Sequence, residues 1–372
     1  MDAATLPPRH PAGDHRRGAR RAGDVAEMNA FTILATGLAG FLLTALATGP
    51  LGRLATRWGL TDRPGGHKAH ARPIPYLGGV AITLGTVAPV IVIVGLNDFT
   101  LTVVVCAAVA VALLGLIDDI APLSPFTRLG VESVAAAGVV LSGIHAPVTG
   151  GWLDVPLTIL WIVLITNSFN LLDNQDGALG AITTTGAGML AVTAFAAGQP
   201  MIGMLLTALC CAGLGFLLHN WAPARVFMGD SGSLFIGFVL ACSTTAVVKD
   251  EGLYEVIGSL LLPTFVATID TGVVMLSRAR AGRPLLLGGT DHVSHRLNSL
   301  GFSVRLTAVV LAGAAAVSGA LNLAVTLHLT SPLVTTAAAV GAAIVLIGLL
   351  QRAHSPVPGH AGEPSVSITE RR

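Results

Sequence analysis

Charge is what this sequence has least of. Of 372 residues, 11% are Asp, Glu, Lys or Arg, against about 25% in an average soluble domain. Hydrophobic residues make up 53%, and mean hydropathy is +0.76. An ordinary soluble enzyme or binding module is excluded by that balance. Aromatics are scarce at 5%, so Trp and Tyr belts give little help in placing membrane interfaces. Net charge is +1, which gives no nucleic-acid footprint. The four cysteines, Cys106, Cys210, Cys211 and Cys242, sit inside apolar runs and form no C-x-x-C pair. They read as packing residues, not as disulfides or thiolate metal ligands.

What is present is a series of apolar runs of about 20 residues, the length that spans a bilayer as a helix. They fall near 30–50, 76–95, 99–117, 130–147, 152–170, 179–197, 200–219, 233–248, 256–277, 305–328 and 332–351. The expected fold is an all-α polytopic integral membrane protein with about eleven transmembrane helices, ten on a stricter count. Residues 1–27 are polar and Arg-rich and read as a disordered segment. Met28 is the expected start, so that segment need not be translated. Residues 28–351 are the membrane domain, and 352–372 a disordered cytoplasmic tail.

Lys and Arg set the orientation. With the loop after the first span in the cytoplasm, Lys68, Arg72, Arg128, Arg225, Arg278, Arg296 and Arg352 all fall inside. Beyond the N-terminal segment, only Lys249 falls outside. The concentrated polar motifs share the cytoplasmic face, and the active site is expected there.

The central motif is 165-ITNSFNLLDNQDG-177. Asn167, Asn170, Asp173 and Asp176 recur every third residue. If the helix runs through them, they share one stripe. A carboxylate facing lipid at the bilayer centre costs at least ~2.5–3.5 kcal/mol, so the stripe should face a polar cavity or the membrane boundary. Asp118 and Asp119 end the third span as adjacent carboxylates, which repel unless a cation or proton intervenes. They suit a general base or part of a Mg²⁺ site; the bland reading is a helix end reaching water. The turn 229-GDSGS-233 carries Asp230 between small residues. That suits a hard-cation ligand, although Ser231 or Ser233 could simply cap a helix. The loop with Lys68, His70 and Arg72 is either an anion cradle or an ordinary basic loop. Arg278, Arg280 and Arg283 fit acidic headgroups of membrane lipids. His292, His295 and Arg296 fit phosphate contact better than zinc, with both histidines on one helix face. Carboxylates without thiolates favour Mg²⁺, with Mn²⁺ an alternative. Basic residues beside them imply a phosphorylated substrate, and membrane embedding implies a lipid partner.

The motifs resemble the polyprenyl-phosphate hexose-1-phosphate transferases. The pieces that match are His70-x-Arg72-Pro73-x-Pro75-x-x-Gly78-Gly79, Leu116-Ile117-Asp118-Asp119, Asn167-x-x-Asn170-Leu171-x-Asp173-x-x-Asp176-Gly177, Phe227–Ser233 and the His292/His295 loop. They stand in the family's order over residues 60–300. The resemblance implies transfer of a sugar-1-phosphate, GlcNAc-1-phosphate first, from a UDP-sugar to undecaprenyl phosphate. UMP is released and a cell-envelope polysaccharide begun, at the bacterial inner membrane. It implies Asp230 on Mg²⁺, Asp118 and Asp119 on the lipid phosphate, and Asn170, Asp173 and Asp176 on nucleotide or metal water. Lys68, Arg72, Arg128, His292 and His295 would neutralise phosphate, with His70, Asn167, Arg225 and Arg296 lining the substrate.

One position departs. Ser294 stands where the family usually has the middle histidine of three. This weakens the alternative of a phospho-MurNAc-pentapeptide transferase, whose histidines run consecutively. A membrane transporter is the rival from another class, but it predicts acids at span centres and inverted repeats. Small residues in the last two spans allow a homodimer face.

Overall fold

The computed structural model describes residues 30–62, 73–248, 252–284, 289 and 291–353. Helix dominates, as lipid requires, because each spanning segment must satisfy its own backbone groups. In chain order the helices are α1 (Ala30–Trp58), α2 (Gly78–Pro89), α3 (Phe99–Ile120), α4 (Pro125–Leu141), α5 (Asp154–Leu172), α6 (Ala178–Ala196), α7 (Pro200–Asn220), α8 (Gly229–Val247), α9 (Leu253–Leu261), α10 (Phe265–Arg280), α11 (Val293–Ser299), α12 (Val304–Thr326) and α13 (Pro332–Arg352). A π-helical turn, Val90–Val94, extends α2. Strands β1 (Thr61–Asp62) and β2 (Ile74–Pro75) pair antiparallel between α1 and α2.

Each of the eleven apolar stretches contains helix, although the one expected at 130–147 is helical only to Leu141. Among the described residues, eight helices are long and apolar enough to cross a membrane. This is a multi-pass membrane protein. The stretch expected as one span at 256–277 is broken: α9 and α10 meet at an 80° bend. Pro263 sits at the break, where it removes a backbone donor and clashes with the preceding turn. Counted together they make a ninth span. Gly78–Val94 is a shorter apolar helix, and α4 has 17 residues.

The bundle is organised around α8, which is buried along nearly its whole length. It packs on α3 and α5, with α2 against its first turn. Glycine permits that approach. A Cβ on Gly79 would lie 2.2 Å from the Gly232 nitrogen, and one on Gly115 would lie 2.4 Å from the Asp230 carbonyl oxygen. Gly78 and Gly79 donate their N–H groups to the carbonyls of Phe227 and Met228 at 3.0 and 2.9 Å. The entry to α8 is therefore held from two sides. Elsewhere several helical threonines donate to the carbonyl one turn back, as Thr166 does to Ile162 at 2.7 Å. Their hydroxyls are thus satisfied within apolar surroundings.

Candidate active site

The C-terminal ends of α3 and α5 and the starts of α4 and α8 converge at one end of the bundle. Asp118 accepts from the Leu123 backbone N–H at 2.6 Å and from Arg128 Nη1 at 2.7 Å. The same Arg128 nitrogen reaches Asp230 Oδ2 at 3.1 Å, and Arg128 Nη2 donates to Asn170 Oδ1 at 3.3 Å. Asn170 donates in turn to Asp230 Oδ1 at 2.9 Å and to Ser233 Oγ at 2.8 Å. One guanidinium thus links residues from three other segments of the sequence. Arginine suits this, since its planar fork presents several donors at fixed angles. The cation that adjacent carboxylates require is, for Asp118, this arginine.

Asp119 faces elsewhere. Its Oδ1 accepts the Asp230 N–H at 2.9 Å and its Oδ2 the Ser231 N–H at 3.1 Å. Neither Ser231 nor Ser233 caps α8; Asp119 does so from another helix. A carboxylate there satisfies two orphan donors and meets the positive end of the helix dipole. Gly229 takes φ +69 just before, a conformation glycine adopts without strain.

The stripe through 167, 170, 173 and 176 is only half helical. α5 ends at Leu172, with Asp173 as its C-cap. Asp176 lies in the following turn, and its Oδ2 accepts the Ala224 N–H at 2.8 Å. The buried Asn220 fixes the same turn. It accepts from Gly177 N–H and donates to the Val226 carbonyl, both at 3.0 Å.

Asp173 makes no side-chain hydrogen bond with any described residue. The residue as a whole is half-buried. It is still enclosed enough that desolvation, then the charges of Asp230, Asp119 and Asp176, push its pKa up to about 8. Carboxylates therefore outnumber the one nearby arginine. Such a surplus suits a divalent cation, and Mg²⁺ characteristically takes one or two protein carboxylates with water and substrate phosphate. Among the described residues no three potential ligands form a ready-made cage.

Two acids escaped the sequence reading. Glu132 is 1% exposed, one turn from Arg128 on α4. Its Oε2 accepts from Asn167 Nδ2, and its Oε1 is buried without a partner among the described residues. The Arg128/Glu132 spacing, four residues on one helix face, was the available signal. Asp270, fully buried in α10, accepts from His292 Nδ1 at 2.8 Å and from the Val293 N–H at 2.7 Å. A lone acid in an apolar helix was its signal.

His292 is the N-cap of α11 and not part of it, so the two histidines do not share a helix face. Their ring centroids lie 6.2 Å apart. Burial and the neighbouring His292 charge hold His295 below the usual histidine range. Ser294, buried between them, donates to Asn174 Oδ1. Asn298 donates to Gln175 at 2.7 Å. α11 is thereby docked on the Asp173–Gly177 turn.

Two expected substrate contacts point away. Arg296 is buried and donates to the Leu350 and Ala353 carbonyls, to Ser277 and to the Asp291 carbonyl. It fastens the end of α13. Arg225 donates to the Leu218 carbonyl at 2.7 Å, serving the C-terminal end of α7. The arginines expected on lipid headgroups also differ: Arg278 and Arg283 pair with the buried Asp291. Burial works to raise the Asp291 pKa, but hydrogen bonds from Arg283 and Ser277 and the two arginine charges hold it below the ordinary value. Lys68, His70 and Arg72 lie outside the described residues.

The protein is thus a multi-pass helical membrane bundle with an arginine–carboxylate–carboxamide cluster at one end. Glycosyl transferase family 4 matches residues 101–248, the segment holding α3 to α8 and the whole cluster. The chain is 31% identical to a probable undecaprenyl-phosphate N-acetylglucosaminyl 1-phosphate transferase of Bacillus subtilis, over 73% of this chain and 78% of that protein. It is 30% identical to the decaprenyl-phosphate N-acetylglucosaminephosphotransferase of Mycobacterium tuberculosis, over 74% and 78%. It is 35% identical to the phospho-N-acetylmuramoyl-pentapeptide-transferase of Moorella thermoacetica, over 60% and 76%. The chain belongs to glycosyl transferase family 4.

Proposed function

We propose that the protein transfers a sugar-1-phosphate, GlcNAc-1-phosphate first, from a UDP-sugar to undecaprenyl phosphate at the cytoplasmic face of the bacterial inner membrane. The observation that carries this reading is Arg128 held among Asp118, Asp230 and Asn170, with the unbonded Asp173 beside them. An oxygen of the lipid phosphate attacks the sugar-linked phosphorus. The bond to the bridging oxygen breaks, and UMP leaves with its electron pair. Little covalent work falls to the protein; positioning and charge stabilisation dominate such transfers.

Asp230 and Asp173 would hold Mg²⁺, which supplies neutralisation of the diphosphate. Arg128 offers fixed positive charge at the cluster's centre. Asp118 orients that guanidinium, and Asn170 aligns the Asp230 carboxylate. Asp119 acts through the backbone of the α8 turn. Asn167, with Glu132 behind it, lines the approach along α5, and Asp176 holds the turn against Ala224. His292, oriented by Asp270, and His295 border the docked α11, and Lys68, His70 and Arg72 would join from the first loop. The orientation follows from the distribution of Lys and Arg.

Ser294 in place of a middle histidine favours GlcNAc over MurNAc-pentapeptide as the sugar part. The likeness to the Moorella protein keeps the second donor in the test. A transporter is disfavoured, because the carboxylates gather at helix ends and the deep Asp270 is paired with His292. The deciding experiment is UMP release by purified protein with undecaprenyl phosphate, Mg²⁺ and a panel of UDP-sugars. Release with UDP-GlcNAc alone, abolished by EDTA, is expected. Release only with UDP-MurNAc-pentapeptide would move the protein to the other branch. No release with any donor from folded protein would remove the reading.

A further inference from the structure

A groove of about 360 Å³ runs between α6, α7 and α12, away from the carboxylate cluster. Ala181, Leu217, Trp221, Val309, Gly313 and Ala316 are among its lining residues. Its walls offer hydrocarbon alone. The threonines in it, Thr184 and Thr185, donate their hydroxyls to the carbonyls of their own helix, both at 2.9 Å. Small side chains create the space: a Cβ added at Gly313 would meet nothing within 4 Å.

Arg305 crowns it. Arg305, Val309, Gly313 and Ala316 recur at helical spacing and form one stripe of α12. Arg305 is exposed, and its Nε donates to the Ala222 carbonyl at 2.8 Å, next to Trp221. Its two terminal nitrogens meet no acceptor among the described residues. A basic residue and a tryptophan at one end of an apolar groove match the headgroup level of a membrane. From Arg305 to Ala316 the helix rises ~16 Å. That is about half of the ~30 Å hydrocarbon core, the depth of one leaflet.

We propose that this groove binds an anionic phospholipid, with one acyl chain along α12 and the headgroup phosphate on Arg305. The single-leaflet depth selects a phospholipid chain over a much longer polyprenyl chain. The free guanidinium nitrogens select an anionic headgroup over a zwitterionic one. The site is separate from the transfer reading, and its test needs neither substrate nor turnover.

The full chain, delipidated in neutral detergent, is given equal phosphatidylglycerol and phosphatidylcholine, and retained lipid is read by native mass spectrometry. Wild-type protein is expected to retain phosphatidylglycerol preferentially. Arg305→Gln should cut that preference about fivefold, the worth of one basic residue near the surface. Gly313→Leu, whose Cβ meets nothing within 4 Å and whose longer side chain enters the groove, should lower retention of both lipids at an unchanged melting temperature. Equal retention of the two lipids by wild type overturns the proposal, as does an unaltered preference in Arg305→Gln. A dimer that Gly313→Leu dissociates, with lipid retention unchanged, would also overturn it and assign the groove to a second copy of the chain.

Discussion

Asp119 holds Asp230 by its backbone: the Asp230 N–H donates to Asp119 Oδ1 at 2.9 Å, and the next N–H donates to Oδ2. The contact gives Asp119 a structural task beside the lipid-phosphate role that the sequence resemblance implies for it, while Asp230 keeps its carboxylate for the cluster. Asp119→Ala removes a helix cap, a loss that costs ~0.5–2 kcal/mol. It should lower the melting temperature and turnover together. Asp230→Asn should abolish UMP release at near-unchanged melting temperature, since Asn170 and the backbone contacts of the turn remain. Thermal unfolding measured beside UMP release separates the two. An Asp119→Ala protein as stable as wild type would refute the capping role.

Arg128→Lys tests whether charge alone suffices. Arg128 reaches Asp118, Asp230 and Asn170 through two nitrogens of one plane. A lysine ammonium is a single point and cannot span all three. Losing even one charge-assisted bond costs about 1.5–3 kcal/mol. UMP release should therefore fall by at least about tenfold. Turnover within twofold of wild type would show that the cluster needs only a positive charge.

The metal-free protein should gain stability as pH falls from about 9 towards 6. The pKa of Asp173 is raised to about 8 in the folded protein, from 3.8 for the free group. Between those values the folded state binds more protons than the unfolded one. Stability on unfolding therefore declines as pH rises through that window. Mg²⁺ replaces the proton as the neutralising charge, so adding it should flatten the dependence. Melting curves at several pH values, with EDTA and with Mg²⁺, check this. A metal-free melting temperature that rises with pH through the window would contradict the assignment.

How much of this the sequence disclosed depends on the kind of signal. Spans were readable because lipid imposes length and apolarity on each helix independently. Asp118, Asp230 and Asn170 were readable because polar groups at the end of an apolar run are conspicuous. The bend at Pro263 was hidden inside a run whose hydropathy hardly changes across it. Partnerships were hidden as well. Nothing local announces that Asp119 caps a helix more than 100 residues later, or that Arg296 bonds the end of α13. Both are long-range hydrogen bonds, fixed only when helices pack. Glu132 was missed because it lies in an ordinary-looking amphipathic pair with Arg128. Its burial comes from α5 laying Asn167 over it.

Ser294→His asks whether the departure at that position is tolerated or required. From sequence alone, a position that merely lines the site should accept a histidine. The structure points the other way. Ser294 is 2% exposed and its hydroxyl is bonded to Asn174, inside the turn that carries Asp173 and Asp176. An imidazole there must displace that turn or leave the short α11. Overpacking of this kind typically costs 1–3 kcal/mol. The variant should melt lower and lose turnover. Ser294→Ala, which removes the hydrogen bond without adding volume, should lose less of both. A Ser294→His protein with wild-type melting and turnover would mean that α11 shifts freely, and that its dock on Asn174 and Gln175 does not hold the carboxylate turn in place.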